Sequence, residues 1–405
     1  MADKNQSERK PGWGAFVLSC LFWLPMLSGV LSRAIKHSAW FRDYEAVACS
    51  AEKLNQNAPI YDLHLACPGM HPTVFVYHPW VAETFAWVLA RTGREPMLWG
   101  YAAVFAAAVA GLLWIIIGRA APAPRVKRSW FAAFLTGSAI YWGNIGTILH
   151  ALIGLCAVML QRRPIVLVLA IAIAAVVKPV FLVFAVVFLL MPLPLWRRGV
   201  YAIAAVALGV APTIYLLQFG GAYGAEWQAL MHNFVFQNTG DGRPGDAFLG
   251  WLSAAGLPIT GIVPALAYLA FAGAMSTAGL ILAEGLKLDA DRRVLLGLSL
   301  GVLLIPRLMS QDYWLLGPGL LAVSAAIGAQ SRFGIWLERA LLAICLLALI
   351  GNLADQADIT NRVTTFLLTL TVFAATSWVV VHGFASPGPM WRRVWGGSKL
   401  AVTEG

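Results

Sequence analysis

The sequence predicts an all-α polytopic membrane protein with about twelve transmembrane helices and an extracytoplasmic loop of amphipathic helices. Three observations predict it. Only 12% of the 405 residues are charged, about half of the ~25% usual in soluble domains. The chain is 60% hydrophobic, with a mean hydropathy of +0.73. Its apolar runs are long and lack the alternation of barrel strands, and lipid tolerates only helices or closed barrels. A soluble enzyme, a disordered chain and a nucleic-acid-binding domain are excluded. The net charge of +10 then reads as cytoplasmic-loop charge rather than affinity for nucleic acid.

A spanning helix needs ~20 mostly apolar residues. Spans are expected near 12–32, 97–118, 129–142, 145–161, 164–177, 179–195 and 199–217, then 262–283, 294–308, 313–330, 335–353 and 363–382. They form one membrane domain over 1–405, interrupted by two extracytoplasmic segments at 33–96 and 218–261. The first span has a basic leader but no small-residue cleavage site, so it reads as a retained helix. No sequence repeat links the two halves, which weakens an inverted-repeat transporter reading.

Orientation follows from charge. With both termini inside, the cytoplasmic loops hold Lys4, Arg9, Lys10, Arg119, Arg125, Lys127, Arg128, Arg162, Arg163, Arg197, Arg198, Lys287, Arg292, Arg293, Arg332, Arg339, Arg392, Arg393 and Lys399. These are most of the 29 Lys and Arg. The dibasic turns carry the signal, because short loops set orientation. The Glu284–Arg293 cluster reads as a solvated cytoplasmic loop.

The 33–96 segment departs from a plain bundle. From Asp43 to about Leu54, Tyr44, Val47, Ala48 and Ala51 share one helical face, with Glu45, Glu52 and Lys53 polar. This predicts an amphipathic helix at the membrane surface, ended by Asn57-Ala58-Pro59. A second, interfacial or partly inserted helix is expected over about Phe75–Leu89. Cys49 and Cys67 lie in this segment. A disulfide between them would suit an extracytoplasmic site; two unpaired thiols on buried faces are the other reading. Cys20, Cys156 and Cys345 read as packing residues, and no His/Cys spacing points to a metal. The 218–261 segment holds Glu226, His232, Asp241 and Asp246, and long loops are often functional.

Asp43 has two readings. Beside Arg42 and Lys36 it can stay ionised and take a proton from an acceptor hydroxyl. It is also a good helix N-cap. Charges at membrane depth are functional hypotheses by default. Lys178-Pro179 marks a helix junction, since Pro cannot continue the preceding helix. Arg307, just before Gln311-Asp312-Tyr313-Trp314, and Trp142-Gly143-Asn144 are further polar breaks. All three fall on the outer side of this topology. Lys as a point charge and Arg as a fork would suit a lipid phosphate; snorkelling to headgroups is the alternative.

The order of these features resembles the polyprenyl-phosphate-dependent glycosyltransferases of the GT-C superfamily. It is most similar to the branch of mycobacterial α-1,2-mannosyltransferases of phosphatidylinositol mannoside synthesis. The matching elements are Asp43 after the first span, the 43–55 helix, Tyr61-Asp62, Tyr77-His78-Pro79, Gly143-Asn144, Lys178-Pro179 and Ser310-Gln311-Asp312-Tyr313. They cover roughly residues 12–330. Trp80 replaces the second Pro of the family's Tyr-x-Pro-Pro, and Asp312 stands at the late His position.

The resemblance implies inverting transfer of a hexose, mannose being one candidate, from a polyprenyl-phosphate carrier to a lipid or glycan acceptor at the outer face of the cytoplasmic membrane. Asp43 would be the base. Lys178 and Arg307 would hold the donor phosphate, and Tyr44, His78, Asn144 and Asp312 would position sugar or acceptor. The scheme requires no metal or other cofactor, although a divalent ion is compatible with it. Besides the two substrates, the expected partners are membrane lipids. A transporter or lipid-linked-sugar flippase and a non-catalytic assembly subunit are the competing readings.

Overall fold

The computed structural model describes residues 13–119, 125–236 and 244–382, with 388, 392, 394 and 395 beyond. Lys4, Arg9, Lys10, Asp241, Arg393 and Lys399 lie outside the described residues. Among the described residues the only β-pairing is one isolated bridge between Leu65 and Thr73. The protein is an all-helical membrane protein.

Among the described residues, five helices are long and apolar enough to cross a bilayer: 94–119, 195–219, 262–285, 332–353 and 357–381. A sixth span results if α1 (Trp13–Phe22) and α2 (Leu24–Ile35) count as one broken helix. The pair is bent by 58°, and Pro25 in the first turn of α2 explains the break. This replaces the twelve spans expected from hydropathy.

The reason is burial. The apolar runs at 145–161, 164–177, 294–308 and 313–330 form helices of only 15, 14, 14 and 12 residues. At 1.5 Å per residue these reach roughly 18–23 Å, short of a ~30 Å hydrocarbon core. The third is buried continuously from Arg293 to Leu303. Helices 290–303 and 317–328 are buried almost throughout and are interior helices, whereas 164–177 still exposes Ile165, Leu169 and Ile173 along one stripe. The expected spans at 129–142 and 179–195 break up further. The first is a 3₁₀ turn, Trp130–Phe134, and one helical turn, Ser138–Tyr141. The second is a 3₁₀ segment, Pro179–Ala185, leading into Val186–Leu190.

The 33–96 segment folds as two helices, α3 (Arg42–Asn55) and α4 (Pro79–Thr92). The expected face of α3 (Tyr44, Val47, Ala48, Ala51) is buried, but so are Ala46, Cys49 and Ser50. α3 is therefore enclosed rather than afloat on a membrane surface. It packs on α4 and on Tyr101 and Phe105 of α5 (Arg94–Leu113). α4 starts at Pro79, later than expected, because His78-Pro79 supplies an N-cap followed by a proline at N1. Cys49 and Cys67 form a disulfide with Cα atoms 5.6 Å apart. Within the 218–261 segment, Gly221–Met231 and Phe248–Ala254 are α-helical.

One charge reading is overturned. Arg198, Glu284 and Arg293 are a buried ion triad, not loop charge. Arg198 Nη2 donates to Glu284 Oε1 at 2.8 Å, and Arg293 donates Nη1 to Oε1 at 2.6 Å and Nη2 to Oε2 at 3.0 Å. Their remaining donors meet the carbonyls of Leu189, Leu190, Leu193 and Leu288. In the pairs 197–198 and 292–293, Arg197 and Arg292 retain solvent exposure while the partner turns inward; Arg162 and Arg163 are both exposed. The triad ties the starts of helices 195–219 and 290–303 to the end of helix 262–285.

Candidate functional site

The site forms at the end of the bundle that carries α3 and α4. The start of α3 is fastened to the 141–144 loop by its backbone. Phe41 N–H donates to Tyr141 O at 2.8 Å and Asp43 N–H to Trp142 O at 3.0 Å. Gly143 permits this approach. Its φ is +62°, and a Cβ there would lie 2.0 Å from the Phe41 ring, so no L side chain fits. Tyr101 Oη donates to Gly143 O at 2.6 Å and braces the loop from behind.

The loop delivers Asn144, which is nearly fully buried. It is the N-cap of α6 (Ile145–Met159), accepting from Gly146 N–H at 2.7 Å. The same amide joins two ionisable groups. Nδ2 donates to Asp43 Oδ2 at 2.5 Å, and Oδ1 accepts from Lys178 Nζ at 2.7 Å. Lys178 stands between α7 (Pro164–Val177) and the 3₁₀ segment that Pro179 opens. Its ammonium lies 5.5 Å from the Tyr77 ring centroid.

Asp312 approaches from the other side, on the 3₁₀ turn Ser310–Leu315. Its Oδ2 accepts from Met309 N–H at 3.1 Å, and Oδ1 meets His150 Nε2 at 3.2 Å. Gly146 gives the closeness of these groups. A Cβ there would lie 3.1 Å from Lys178 Nζ and 3.5 Å from Asp312 Oδ1. Arg307 lies within electrostatic reach of Asp312 and Lys178. Its guanidinium is 5.4 Å from the Phe234 ring centroid.

Asp43 is not a cap. α3 begins at Arg42 with Phe41 as its N-cap residue, in a left-handed conformation and with no side-chain cap. Burial raises the Asp43 carboxyl above its ordinary 3.8, while the Asn144 hydrogen bond and the Lys178 charge pull it back down. A carboxylate lifted by burial yet kept ionisable by a neighbouring cation suits a general base.

Asp43, Asn144, Lys178, Asp312 and, at longer range, Arg307 come together. Tyr44 and His78 do not join them. The Tyr44 ring packs on Tyr101 at 4.8 Å between centroids, and burial lifts its hydroxyl to about 12. His78 is occupied as a cap. Nδ1 accepts from Trp80 N–H and Nε2 donates to Pro212 O, each at 3.3 Å. Burial lowers its pKa below the usual 6.5, partly offset by the Pro212 bond. Asp62 is a turn residue, accepting from His64 N–H at 2.9 Å.

His150 was missed by sequence reasoning. It is fully buried, with its ring against Phe181 and Phe184 at 4.8 and 5.5 Å between centroids. The available signal was a lone ionisable residue inside an apolar helix. Among the described residues, no three His, Cys, Asp or Glu side chains gather as a metal-binding set. No protein family, curated protein or solved structure matches this chain.

Proposed function

We propose that this chain is a membrane glycosyltransferase that moves a sugar from a polyprenyl-phosphate carrier to a lipid or glycan acceptor. The single observation that carries the reading is the Asn144 amide, hydrogen-bonded at once to the Asp43 carboxylate and the Lys178 ammonium. It sets a base beside a cation, as displacement of a phosphate by a hydroxyl requires.

In this scheme the acceptor hydroxyl gives its proton to Asp43. Its oxygen bonds to the anomeric carbon from the face opposite the phosphate. The bond from that carbon to the phosphate oxygen breaks, and the carrier phosphate leaves with the electron pair. Inversion follows from the in-line path. Lys178, with two further N–H donors, and Arg307 stabilise the charge on the departing phosphate. Asp312 is held by His150 and Met309 N–H, and its charge acts on both cations.

The disulfide supports an extracytoplasmic site, because such bonds persist outside the reducing cytoplasm. The motif order around Asp43, Tyr77-His78-Pro79 and Lys178-Pro179 supports the lipid-phosphate class of donor. The test is direct. Detergent-purified protein is incubated with radiolabelled polyprenyl-phosphate hexoses and extracted membrane lipids, and glycosylated product is sought. Product that forms with the wild type and not with Asp43→Asn supports the reading. Equal product from both overturns it, as does carrier movement across vesicles with no glycosidic product.

A further inference from the structure

A polar cavity lies beside the elements that carry the site. Its volume is ≈ 210 Å³, many times the roughly 10–15 Å³ that one water needs. It is lined by Thr136, Ser138, Asp246, Ser310, Asn361 and Arg362, among others. Two of its walls continue into the site. Ser138 and Ser310 are joined by a 2.8 Å hydrogen bond between their hydroxyls. Ser138 begins the helical turn that runs on to Trp142, Gly143 and Asn144. Ser310 begins the 3₁₀ turn that carries Asp312.

The lining includes polar atoms that the protein leaves without a partner. Asn361 is 2% exposed, and its Oδ1 is buried with no hydrogen bond. Its Nδ2 donates to Asn352 Oδ1 at 3.4 Å. Arg362 Nε is also buried without a partner. Buried polar groups are nearly always satisfied, so unpartnered atoms on two residues that line a roomy polar cavity point to a ligand that supplies the missing bonds.

The chemistry of the lining selects the ligand. Thr136, Ser138 and Ser310 form a chain of hydroxyls, each able to give one hydrogen bond and accept two. Asp246, Asp358 and the Asn361 carbonyl accept, while Arg362 donates. Two carboxylates against one guanidinium disfavour an anion. A ring bearing several hydroxyls, which both give and accept, matches this mixture.

We propose that the cavity binds an uncharged polyhydroxylated ring, a sugar or polyol, and that it seats the acceptor's headgroup. The acceptor role rests on the transferase reading; binding of the ring does not.

The test uses methyl hexopyranosides (the mannoside, glucoside and galactoside) as probes of the full-length protein in detergent. Binding is read by saturation-transfer NMR and by thermal shift. At least one glycoside is expected to bind wild type and Asp43→Asn equally. Asn361→Leu and Ser310→Ala should each weaken that binding tenfold or more, in protein that elutes as the wild type does. Ser310→Ala removes one hydroxyl and keeps the proposal testable if Asn361→Leu does not fold. No binding by any of the three overturns the proposal, as does binding that both variants leave intact. Inorganic phosphate displacing the glycoside through Arg362 also overturns it. Glycoside binding in a protein that forms no glycosidic product sinks the transferase reading and the acceptor role but leaves the polyol site standing.

Discussion

Asn144 donates to the Asp43 carboxylate at 2.5 Å across 101 positions of chain. Its other amide atom accepts from Lys178, 34 positions further on. One neutral side chain therefore sets the distance between an acid and a cation that no helix carries together.

Asp43→Asn is expected to lower turnover by about 10²–10⁴, the usual contribution of a positioned base. Asn is nearly isosteric, so the fold should survive. Turnover is measured with the radiolabelled donor and the fold by thermal denaturation. Wild-type turnover in this variant ends the assignment of Asp43 as base.

The pH profile follows from the same residue. A base acts only when ionised, so turnover falls as pH drops through its pKa. Burial puts that pKa above the ordinary 3.8, and the Lys178 charge works against the rise. The acid limb of kcat/KM should therefore lie above pH 3.8. Lys178→Met removes the cation, disfavours the carboxylate and should move the limb to higher pH. A limb that stays put, or moves down, contradicts the coupling.

Asn144→Ala and Lys178→Ala should not be additive. Both break the same bridge, so the double variant should lose less transition-state stabilisation than the two single losses combined. Contacting residues commonly couple by about 0.5–3 kcal/mol. Comparing kcat/KM for the four proteins measures it, and simple additivity would mean that the amide does not link the two groups.

The disulfide should matter to stability and, through α3, to activity. It joins residues 18 apart, a loop for which chain entropy gives roughly 3 kcal/mol. Cys49→Ser with Cys67→Ser is expected to lower the Tm and the turnover, with the donor KM changing less than kcat. Full activity at unchanged Tm would make the bridge incidental to the site.

Glu284→Gln should be among the most damaging substitutions away from the site. It leaves Arg198 and Arg293 as buried cations without a counter-charge, a change that typically costs about 3–5 kcal/mol. Thermal unfolding in detergent reads the loss. A Tm within a degree or two of wild type would show that the triad contributes little.

The polar breaks were legible because charge is scarce in this chain. Asn144, Lys178 and Asp312 interrupt apolar runs, Asp43 follows the first one, and the fold gathers them. Hydropathy misjudged the spans because it measures distance from water and cannot tell lipid from protein interior. Helix 290–303 is apolar because other helices surround it. Composition misplaced Arg198 and Arg293 for a related reason. A dibasic pair marks a helix end, and only the fold decides which member turns inward. Tyr44 and His78 were assigned by proximity in sequence. On α3, residue 44 points about 100° away from residue 43, and His78 is held by the cap it makes. His150 went unread because no neighbouring polar residue marks it; its partner Asp312 lies 162 positions away.

The enclosed helix α3 bears on how the protein is made. Its disulfide partners, Cys49 and Cys67, leave the ribosome long before Asn144 and Lys178 exist. The bridge can therefore close while Asp43 still lacks its neighbours. α3 is then a finished surface onto which the 141–144 loop docks through Phe41 and Asp43. Biogenesis runs from a covalently secured platform to a site that gains its cation with residue 178 and its second carboxylate with residue 312. On the proposed reading, a chain cut short before residue 178 would carry Asp43 without its cation and should be inactive.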